Sequence, residues 1–341
     1  MGADFTSALY LGMRHPVAAL RPWSALTLGK PAALEPAPGE AALGAELAAL
    51  MDCEAACLMP STLHLFWDLF GWLRAKPVAV LVDAAAYPVA RWGAAAAGVA
   101  VQAFRHGDAA RALGAARRWR NAGLRPLLLA DGYTPGDGAA PPLAAYAEIA
   151  ESVGGLLLLD DTQALGVLGP RGGGSVAGHG LAGAPVLSGA SLAKGFGAPL
   201  AVLAGPREAL AGFEAASQCR LHCSPPSVAA IAAAAHALEC NRRTGDMLRQ
   251  RLQHRIVQLR ALFKTRGLKL HGGSFPVQRL ALAPSSGAAL HSRLSQAGIE
   301  VLLQGTRAKP VLTMLLRADH GAAEIAHAAR TITQLLEVQH V

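Results

Sequence analysis

Residues 156–166 read Leu-Leu-Leu-Leu-Asp-Asp-Thr-Gln-Ala-Leu-Gly, an apolar run that ends in two carboxylates. A run without polar alternation suits a strand buried on both faces, as in a parallel sheet. Such a strand places Asp160 at its carboxyl end, where open α/β sheets bind their ligands. A buried carboxylate is costly unless it meets a cation. The stretch therefore predicts a core strand that ends in a charged site residue, although Asp160 and Asp161 could also cap a following helix.

Short apolar runs of the same kind recur on both sides of this stretch. They lie at residues 78–82, 99–104, 126–130, 186–188 and 200–203. Alanine-rich segments such as 109–122 and 143–153 separate them and suit crossover helices. The alternation predicts an α/β large domain with a mostly parallel sheet.

The pattern changes after Pro226. The predicted elements there are a long helix over 227–264, strands at 277–283 and 311–316, and helices at 287–296 and 322–338. They indicate a small α+β C-terminal domain. We therefore divide the chain into an N-terminal segment (1–40), a large domain (41–235) and a small domain (236–341).

Composition and charge exclude several functional classes. The chain has 341 residues, 52% of them hydrophobic, and a net charge of +8. The charge comes from scattered arginines and not from a basic stripe with interleaved aromatic residues, so we predict no nucleic-acid partner. A CoA-type or phosphate-bearing ligand fits this charge better. No apolar run reaches the ~18 residues that a membrane-spanning helix needs, so we predict no membrane association.

The cysteines indicate a reducing compartment. There are five of them, an odd number in a large chain, which argues against a disulfide framework. Two pairs sit four residues apart, but they lack finger-like spacing and we expect them to be core residues. We predict a cytoplasmic protein without a metal site.

A lysine follows another of the apolar runs. Residues 191–197 read Ser-Leu-Ala-Lys-Gly-Phe-Gly, so Lys194 has small neighbours that leave it access to a pocket. Partial burial lowers the pKa of a lysine and lets the neutral amine attack an aldehyde. Pyridoxal 5'-phosphate (PLP) is such an aldehyde, and its pyridinium nitrogen requires a carboxylate. Lys194 and Asp160 are therefore candidate catalytic residues, although a lysine near glycines is also common in surface loops.

Further side chains could hold such a cofactor. Gln163 could donate to the phenolate oxygen of the ring, and Tyr87 could stack on its face or be a half-buried core tyrosine. Ser61 and Thr62 precede an apolar helical segment, whose N-terminus suits a phosphate. Asp131 ends an apolar run before a glycine-rich turn.

The order and spacing of these motifs resemble the α-oxoamine synthase family, the branch of fold-type I PLP enzymes that includes 8-amino-7-oxononanoate synthase. The resemblance spans nearly the whole chain. It is carried by Tyr10-Leu11-Gly12 with His15-Pro16, Asp131–Leu143, Asp160–Gly169, Ser191–Gly197 and Pro225-Pro226. It implies an aspartate-aminotransferase-like fold, PLP as the cofactor, and homodimers with shared active sites.

The resemblance also implies a role for each matching residue. Lys194 would hold PLP as a Schiff base and later shuttle protons, and Asp160 would pair with the pyridine nitrogen. The positions that fall at the phosphate are Ser191, the backbone amides of Thr62 and Leu63, and His222, which lies where the neighbouring subunit reaches the phosphate.

Several positions depart from the family pattern. Tyr87 stands where the family has a ring-stacking histidine, and Gln163 where it has a histidine beside the phenolate oxygen. His222 replaces a hydroxyl residue. No arginine occupies the place of the family's carboxylate-binding arginine, so Arg307 and Arg317 are the substrate-binding candidates.

The resemblance implies a PLP-dependent acyltransferase. Such an enzyme condenses an amino acid with an acyl thioester, either acyl-CoA or acyl-carrier protein, to give an α-aminoketone, usually with decarboxylation. The departures leave open transamination, decarboxylation or aldol-type chemistry on the same scaffold. A non-catalytic partner subunit is a third alternative, and the presence of Lys194 counts against it.

Overall fold

The computed structural model describes residues 2–20, 26–136, 138–284 and 286–337. The chain divides into two compact units. The large unit comprises residues 14–134 and 140–243, and the small unit comprises residues 1–13, 135–139 and 244–341. The sequence predicted three parts with boundaries at residues 40 and 235, and this division stays a prediction.

The strands follow one another along the chain with helices between most of them. The strands are β1 (Ala3–Asp4), β2 (Ala55–Met59), β3 (Val78–Asp83), β4 (Ala100–Phe104), β5 (Arg125–Asp131), β6 (Leu156–Asp160), β7 (Val186–Ser191), β8 (Ala201–Gly205), β9 (Val277–Ala281), β10 (Ile299–Glu300), β11 (Leu302–Thr306) and β12 (Lys309–Leu315). The helices are α1 (Glu40–Met51), α2 (Thr62–Leu73), α3 (Pro88–Ala97), α4 (Ala109–Asn121), α5 (Leu143–Ser152), α6 (Gly174–Gly178), α7 (Arg207–Ala216), α8 (Gln218–His222), α9 (Val228–Lys264), α10 (Gly287–Gln296) and α11 (Ala322–Glu337).

The large unit contains a seven-stranded sheet in the order β2-β8-β7-β6-β5-β3-β4. Strands β3 to β7 run parallel, and β8 pairs antiparallel with both β7 and β2. Each of the six apolar runs identified in the sequence overlaps one of its strands. The mostly parallel α/β sheet predicted from those runs is confirmed.

Two apolar cores explain why these runs lack alternation. Leu127 and Leu129 of β5 pack in one core, with side chains of α2, α3 and α7. Leu128, between them, packs in the second core, with side chains of α4 and α5. Because successive side chains of a strand point to opposite faces, a strand covered on both faces must be apolar at every position.

The small unit has a three-stranded antiparallel sheet in the order β11-β12-β9, and β1 pairs in parallel with β10. The predicted strands at 277–283 and 311–316 correspond to β9 and β12. The predicted end of the last helix at residue 338 lies outside the described residues. Within the described part of the chain, no helix is both long enough and apolar enough to cross a membrane.

Candidate active site

Three carboxylates meet at the carboxyl edge of the parallel strands in the large unit. Asp131 of β5 lies directly opposite Asp160 of β6, and Asp160 lies opposite Gly189 of β7. Asp83 ends the neighbouring strand β3. The three carboxylate residues are at most 8% exposed. Because the strands are parallel, their buried apolar runs deliver all three side chains to one edge.

Lys194 lies in a tight turn that follows β7. The backbone N–H groups of Phe196 and Ala198 donate to the carbonyl of Leu192 at 3.0 and 3.3 Å and close the turn. Burial lowers the pKa of the Lys194 ammonium, while the charges of Asp160 and Asp131 act in the opposite direction. The structure therefore places this lysine within electrostatic reach of the two carboxylates, and the catalytic roles inferred for Lys194 and Asp160 stay predictions.

Thr162 links Asp160 to the strand that leads to the lysine. Its N–H donates to Oδ1 of Asp160 at 3.1 Å, and its hydroxyl oxygen accepts from the N–H of Ser191 at 3.0 Å. Burial raises the pKa of Asp160, and Thr162 and the charge of Lys194 oppose this rise. Thr162 could not be predicted as a site residue, because an isolated threonine carries no specific sequence signal.

Asp131 is a second carboxyl group whose protonation the site perturbs. Burial, and next the charge of Asp160, raise the pKa of Asp131 to about 8. Its Oδ1 accepts the backbone N–H of Tyr87 at 2.9 Å. This bond fixes the backbone of Tyr87 beside the carboxylates, and the Tyr87 side chain is 57% exposed. The predicted stacking of its ring on a cofactor stays a prediction.

Asp161 has a structural role that distinguishes it from Asp160. It is fully buried and accepts hydrogen bonds from the backbone N–H and the hydroxyl of Ser175. Gly132 and Gly174 leave room for its carboxylate, since a Cβ at either glycine would collide with it. Burial raises the pKa of Asp161 to about 6. Asp160, and not Asp161, is the carboxylate that interacts with Lys194.

The N-terminus of α2 lies against the same group of strands. Leu65 of this helix packs on Gly189, where an added Cβ would be 3.1 Å from the leucine Cδ2. Ser61 is the N-cap and accepts from the N–H of His64. The backbone N–H groups of the first turn, including those of Thr62 and Leu63, have no partner within the helix and favour an anion.

Gln163 and His222 also belong to the large unit, in a turn and at the end of a helix. Gln163 is half-buried in the turn after β6. His222 is the exposed last residue of α8. That helix packs on α2 through Asp68, whose carboxylate accepts from the N–H of Gln218 at 2.9 Å. The roles inferred for Gln163 and His222 therefore stay predictions.

The two candidate substrate arginines belong to the small unit and differ in environment. Arg317 has a side chain only 11% exposed, and it donates to Oδ1 of Asp319 at 2.9 Å and to the carbonyl of Asp4 at 3.0 Å. Arg307 lies in the exposed turn between β11 and β12. The ion pair of Arg317 favours a structural role, and the substrate-binding role inferred for each arginine stays a prediction.

Asp83 is held by a network that the sequence did not reveal. Its Oδ1 lies 2.7 Å from Nδ1 of His106, and its Oδ2 accepts from the hydroxyl of Tyr146 at 2.8 Å. No local sequence pattern marks this network, because the two partners of Asp83 come from distant segments. These bonds satisfy Asp83 within the protein and leave Asp131 and Asp160 as the carboxylates that a ligand could approach.

The donor set fits PLP. Buried carboxylates are unfavourable without cations, and a pyridinium N–H would supply positive charge opposite Asp160. An amine with a lowered pKa stands nearby in Lys194. The first turn of α2 offers unpaired N–H groups suited to a phosphate. These three features belong to one edge of one sheet.

Comparison with known proteins agrees with this geometry. A family model described as aminotransferase class I and II matches residues 17–317. An 8-amino-7-oxononanoate synthase of Halorhodospira halophila is 31% identical over 306 residues, covering 88% of this chain and 74% of that protein.

Solved structures show the same fold at lower sequence identity. The 8-amino-7-oxononanoate synthase of Francisella tularensis superposes with a TM-score of 0.83 at 17% identity, covering 100% of this chain and 99% of that one. A serine palmitoyltransferase of Sphingomonas wittichii superposes with a TM-score of 0.88 at 16% identity, covering 99% and 88%.

Proposed function

Because the chain belongs to the aminotransferase class I and II family, and within it to the α-oxoamine synthases, we propose that it is a PLP-dependent acyltransferase. It would join the α-carbon of an amino acid to the acyl group of a thioester and release the thiol; the carboxyl group of the amino acid would usually leave as carbon dioxide, which gives an α-aminoketone. The predicted fold-type I architecture is confirmed by this membership. The observation that carries the proposal is the meeting of Lys194 with the buried Asp160 at the carboxyl edge of the sheet.

The cofactor end of the site follows from the residues at that edge. When bound, PLP supplies an electron sink for the electron pair left on the α-carbon of the amino acid. Asp160 would hold its negative charge opposite the ring nitrogen and keep a proton there. Lys194, whose pKa is lowered by burial, would attach the cofactor and then accept and return a proton at Nζ.

Neighbouring side chains would orient the cofactor. Ser191 and the N-terminal turn of α2, with Ser61, Thr62 and Leu63, would bind the phosphate through hydroxyl and amide donors. Tyr87 would cover one face of the ring and exclude water from it. These assignments rest on the positions of the residues around the carboxylate edge and on the family resemblance.

The substrate end distinguishes this chain from the family pattern. We propose that Arg307 binds the carboxylate of the amino acid, because its side chain is exposed whereas Arg317 is bound in an ion pair. Gln163 would donate a hydrogen bond to the phenolate oxygen of the ring. A neutral amide there cannot carry the charge that a histidine can, so the reaction would depend more on Lys194 for proton transfer.

The activity is tested by release of free thiol. The purified protein with PLP is incubated with one amino acid at a time and with acyl-CoA esters of different chain length, and the free thiol is measured. We expect thiol release that requires both substrates and that is absent in Lys194→Ala. An amino-acid-dependent reaction that yields an oxo acid or carbon dioxide without thiol release would support one of the alternative PLP reactions instead.

We also propose a homodimer with shared active sites. Apolar side chains of the large unit lie exposed on α2, α3 and α8, and these helices pack side by side through α2. The exposed residues are Leu63, Trp67, Trp92 and Leu221. A second copy would bury them and could bring His222 to the neighbouring phosphate. Light scattering should give twice the chain mass, and Trp67→Glu should shift it to the single chain mass.

A cytoplasmic location is part of the same proposal. The cysteines at positions 53, 57, 219, 223 and 240 are free. Burial raises the pKa of Cys53 to about 12 and that of Cys219 to about 12, so these thiols are poor nucleophiles. Free thiols of this kind suit a reducing compartment.

A further inference from the structure

We propose that His15 and His236 position the turn that carries Lys194. This inference rests on the proposed function, because it concerns the lysine of that site. His15 belongs to the His15-Pro16 pair near the start of the chain, which the proposed mechanism does not use. Its half-buried ring contacts both the Lys194 turn and helix α9. All of these residues belong to the large unit.

Two hydrogen bonds define the place of the His15 ring. Its Nε2 lies 3.0 Å from the carbonyl oxygen of Phe196, two residues after the lysine. Its Nδ1 lies 3.0 Å from Nδ1 of His236 on α9. The two rings are nearly perpendicular, at 86°, with centroids 5.3 Å apart. His15 therefore connects the turn to the side of a long helix.

The carbonyl group sets the direction of both bonds. A carbonyl oxygen only accepts, so Nε2 of His15 carries the hydrogen. In the neutral ring Nδ1 then accepts, and the hydrogen of the second bond belongs to Nδ1 of His236. Nε2 of His236 lies 3.7 Å from Sγ of Cys240. The two rings thus form a directed chain of hydrogen bonds that ends at Phe196.

The surroundings favour the neutral form that this chain requires. Burial lowers the pKa of His15, and the neighbouring His236 lowers it further. The hydrogen bonds to the backbone of Phe196 and Gly197 oppose these effects. A pair of histidines 3.0 Å apart cannot hold two positive charges without strong repulsion.

The bond to Phe196 acts on the lysine through the backbone. The opposite side of the turn is packed against the loop after β6, since a Cβ on Gly195 would be 2.9 Å from the Cα of Gly166. His15 holds the other side by its bond to the Phe196 carbonyl. Gly195 is thus held by packing and the Phe196–Gly197 peptide group by a hydrogen bond, which restricts the backbone directly after Lys194 and with it the direction of the lysine side chain. A small misplacement of a reacting group can cost orders of magnitude in rate.

Two substitutions at position 15 separate hydrogen bonding from packing. His15→Phe keeps a planar ring but has neither donor nor acceptor. His15→Gln keeps an amide N–H that can donate to Phe196 and a carbonyl oxygen that can accept from His236. The cofactor-free variants are mixed with PLP, and the rate of formation of a borohydride-reducible adduct on Lys194 is followed. The unfolding midpoint of each cofactor-free protein is measured in parallel.

We expect about tenfold slower adduct formation in His15→Phe, the loss that one or two hydrogen bonds imply, and a rate near that of the unaltered protein in His15→Gln. Wild-type rates in His15→Phe, or equal slowing in both variants, would overturn the inference. The inference is also overturned if the rates of adduct formation in the variants follow their unfolding midpoints and not the presence of the hydrogen bonds. If His15→Phe does not fold, His236→Phe breaks the same chain from its other end and is subject to the same criteria.

The same assay separates this inference from the proposed function. An unaltered protein that forms no adduct on Lys194 refutes the proposed function. An adduct on Lys194 that forms at the same rate in every variant refutes only the positioning role of His15.

Discussion

Asp131→Asn should stabilise the cofactor-free protein increasingly as the pH rises from about 5 to about 8. The carboxyl group of Asp131 is buried at the carboxyl edge of the sheet beside Asp160, and its pKa is raised to about 8. In the unfolded chain an aspartate has a pKa near 3.9. Asparagine has nearly the same shape, and its Oδ1 can still accept the N–H of Tyr87 that Asp131 accepts at 2.9 Å.

The sign and size of the effect follow from proton linkage. Because the folded-state pKa is the higher one, the contribution of Asp131 to stability is fully present below about pH 3.9 and is lost as the pH rises through about 8. Between these values the folded state holds one more proton than the unfolded state. The free energy of unfolding then falls by about 1.4 kcal/mol per pH unit, or about 3 kcal/mol between pH 5 and pH 7. The Asp131→Asn variant has no such loss, because an amide does not titrate in this range.

Denaturant unfolding of the cofactor-free protein at pH 5, 6, 7 and 8 measures this difference. The comparison is made between the variant and the unaltered protein at each pH, so that the titrating groups that do not interact with Asp131 cancel. Asp161→Asn serves as the matched control. It disturbs the hydrogen bonds from Ser175 and should destabilise the protein at pH 7. Because the pKa of Asp161 is raised only to about 6, any pH dependence of this control should end near pH 6, whereas that of Asp131→Asn continues to about pH 8. The reasoning is refuted if the unfolding free energies of the Asp131→Asn variant and the unaltered protein differ by the same amount at pH 5 and at pH 8.

Three further predictions concern the cofactor site. Lys194→Ala should give no PLP-peptide after borohydride reduction and digestion, and a PLP-bearing peptide from another lysine would contradict the assignment. Asp160→Asn should still bind PLP, as measured by absorbance titration. Its reaction barrier should rise by several kcal/mol, because a neutral partner no longer keeps the ring nitrogen protonated. Near-normal turnover would exclude Asp160 from that role. Tyr87→His should retain more activity than Tyr87→Ala, since stacking is worth ~0.5–1.5 kcal/mol beyond area burial, and equal activities would exclude a stacked ring.

The large sheet could be predicted from the sequence because burial on both faces leaves a strong signal. The six apolar runs coincide with strands, and the carboxyl end of the 156–159 run identified Asp160 directly. Strand β2 was not predicted. It is five residues long and reads Ala-Ala-Cys-Leu-Met, without a β-branched or aromatic residue to mark it as a strand. Strand β11 was missed because it is an exposed edge strand without an apolar run.

The residues that tune the site could not be predicted in the same way. Thr162 and the pair of His15 and His236 act through hydrogen bonds between segments far apart in the chain. No local pattern marks such a contact, since it depends on side chains meeting after the sheet has formed. The perturbed carboxyl group of Asp131 is a similar case, because its pKa depends on the register that places Asp160 beside it.

The departures from the family pattern fall where the fold tolerates change. Tyr87 is exposed at the start of a helix and Gln163 lies in a turn, whereas Asp160 is almost completely buried at the end of a central strand. A substitution at the first two positions leaves the strand register intact, but a change at Asp160 would remove the carboxylate that we propose for the ring nitrogen. Selection can therefore alter the amino acid and acyl group that are accepted while the electron-withdrawing chemistry stays the same. For this reason the screen for thiol release should span amino acids and acyl chains broadly and should not be limited to the substrates of the relatives.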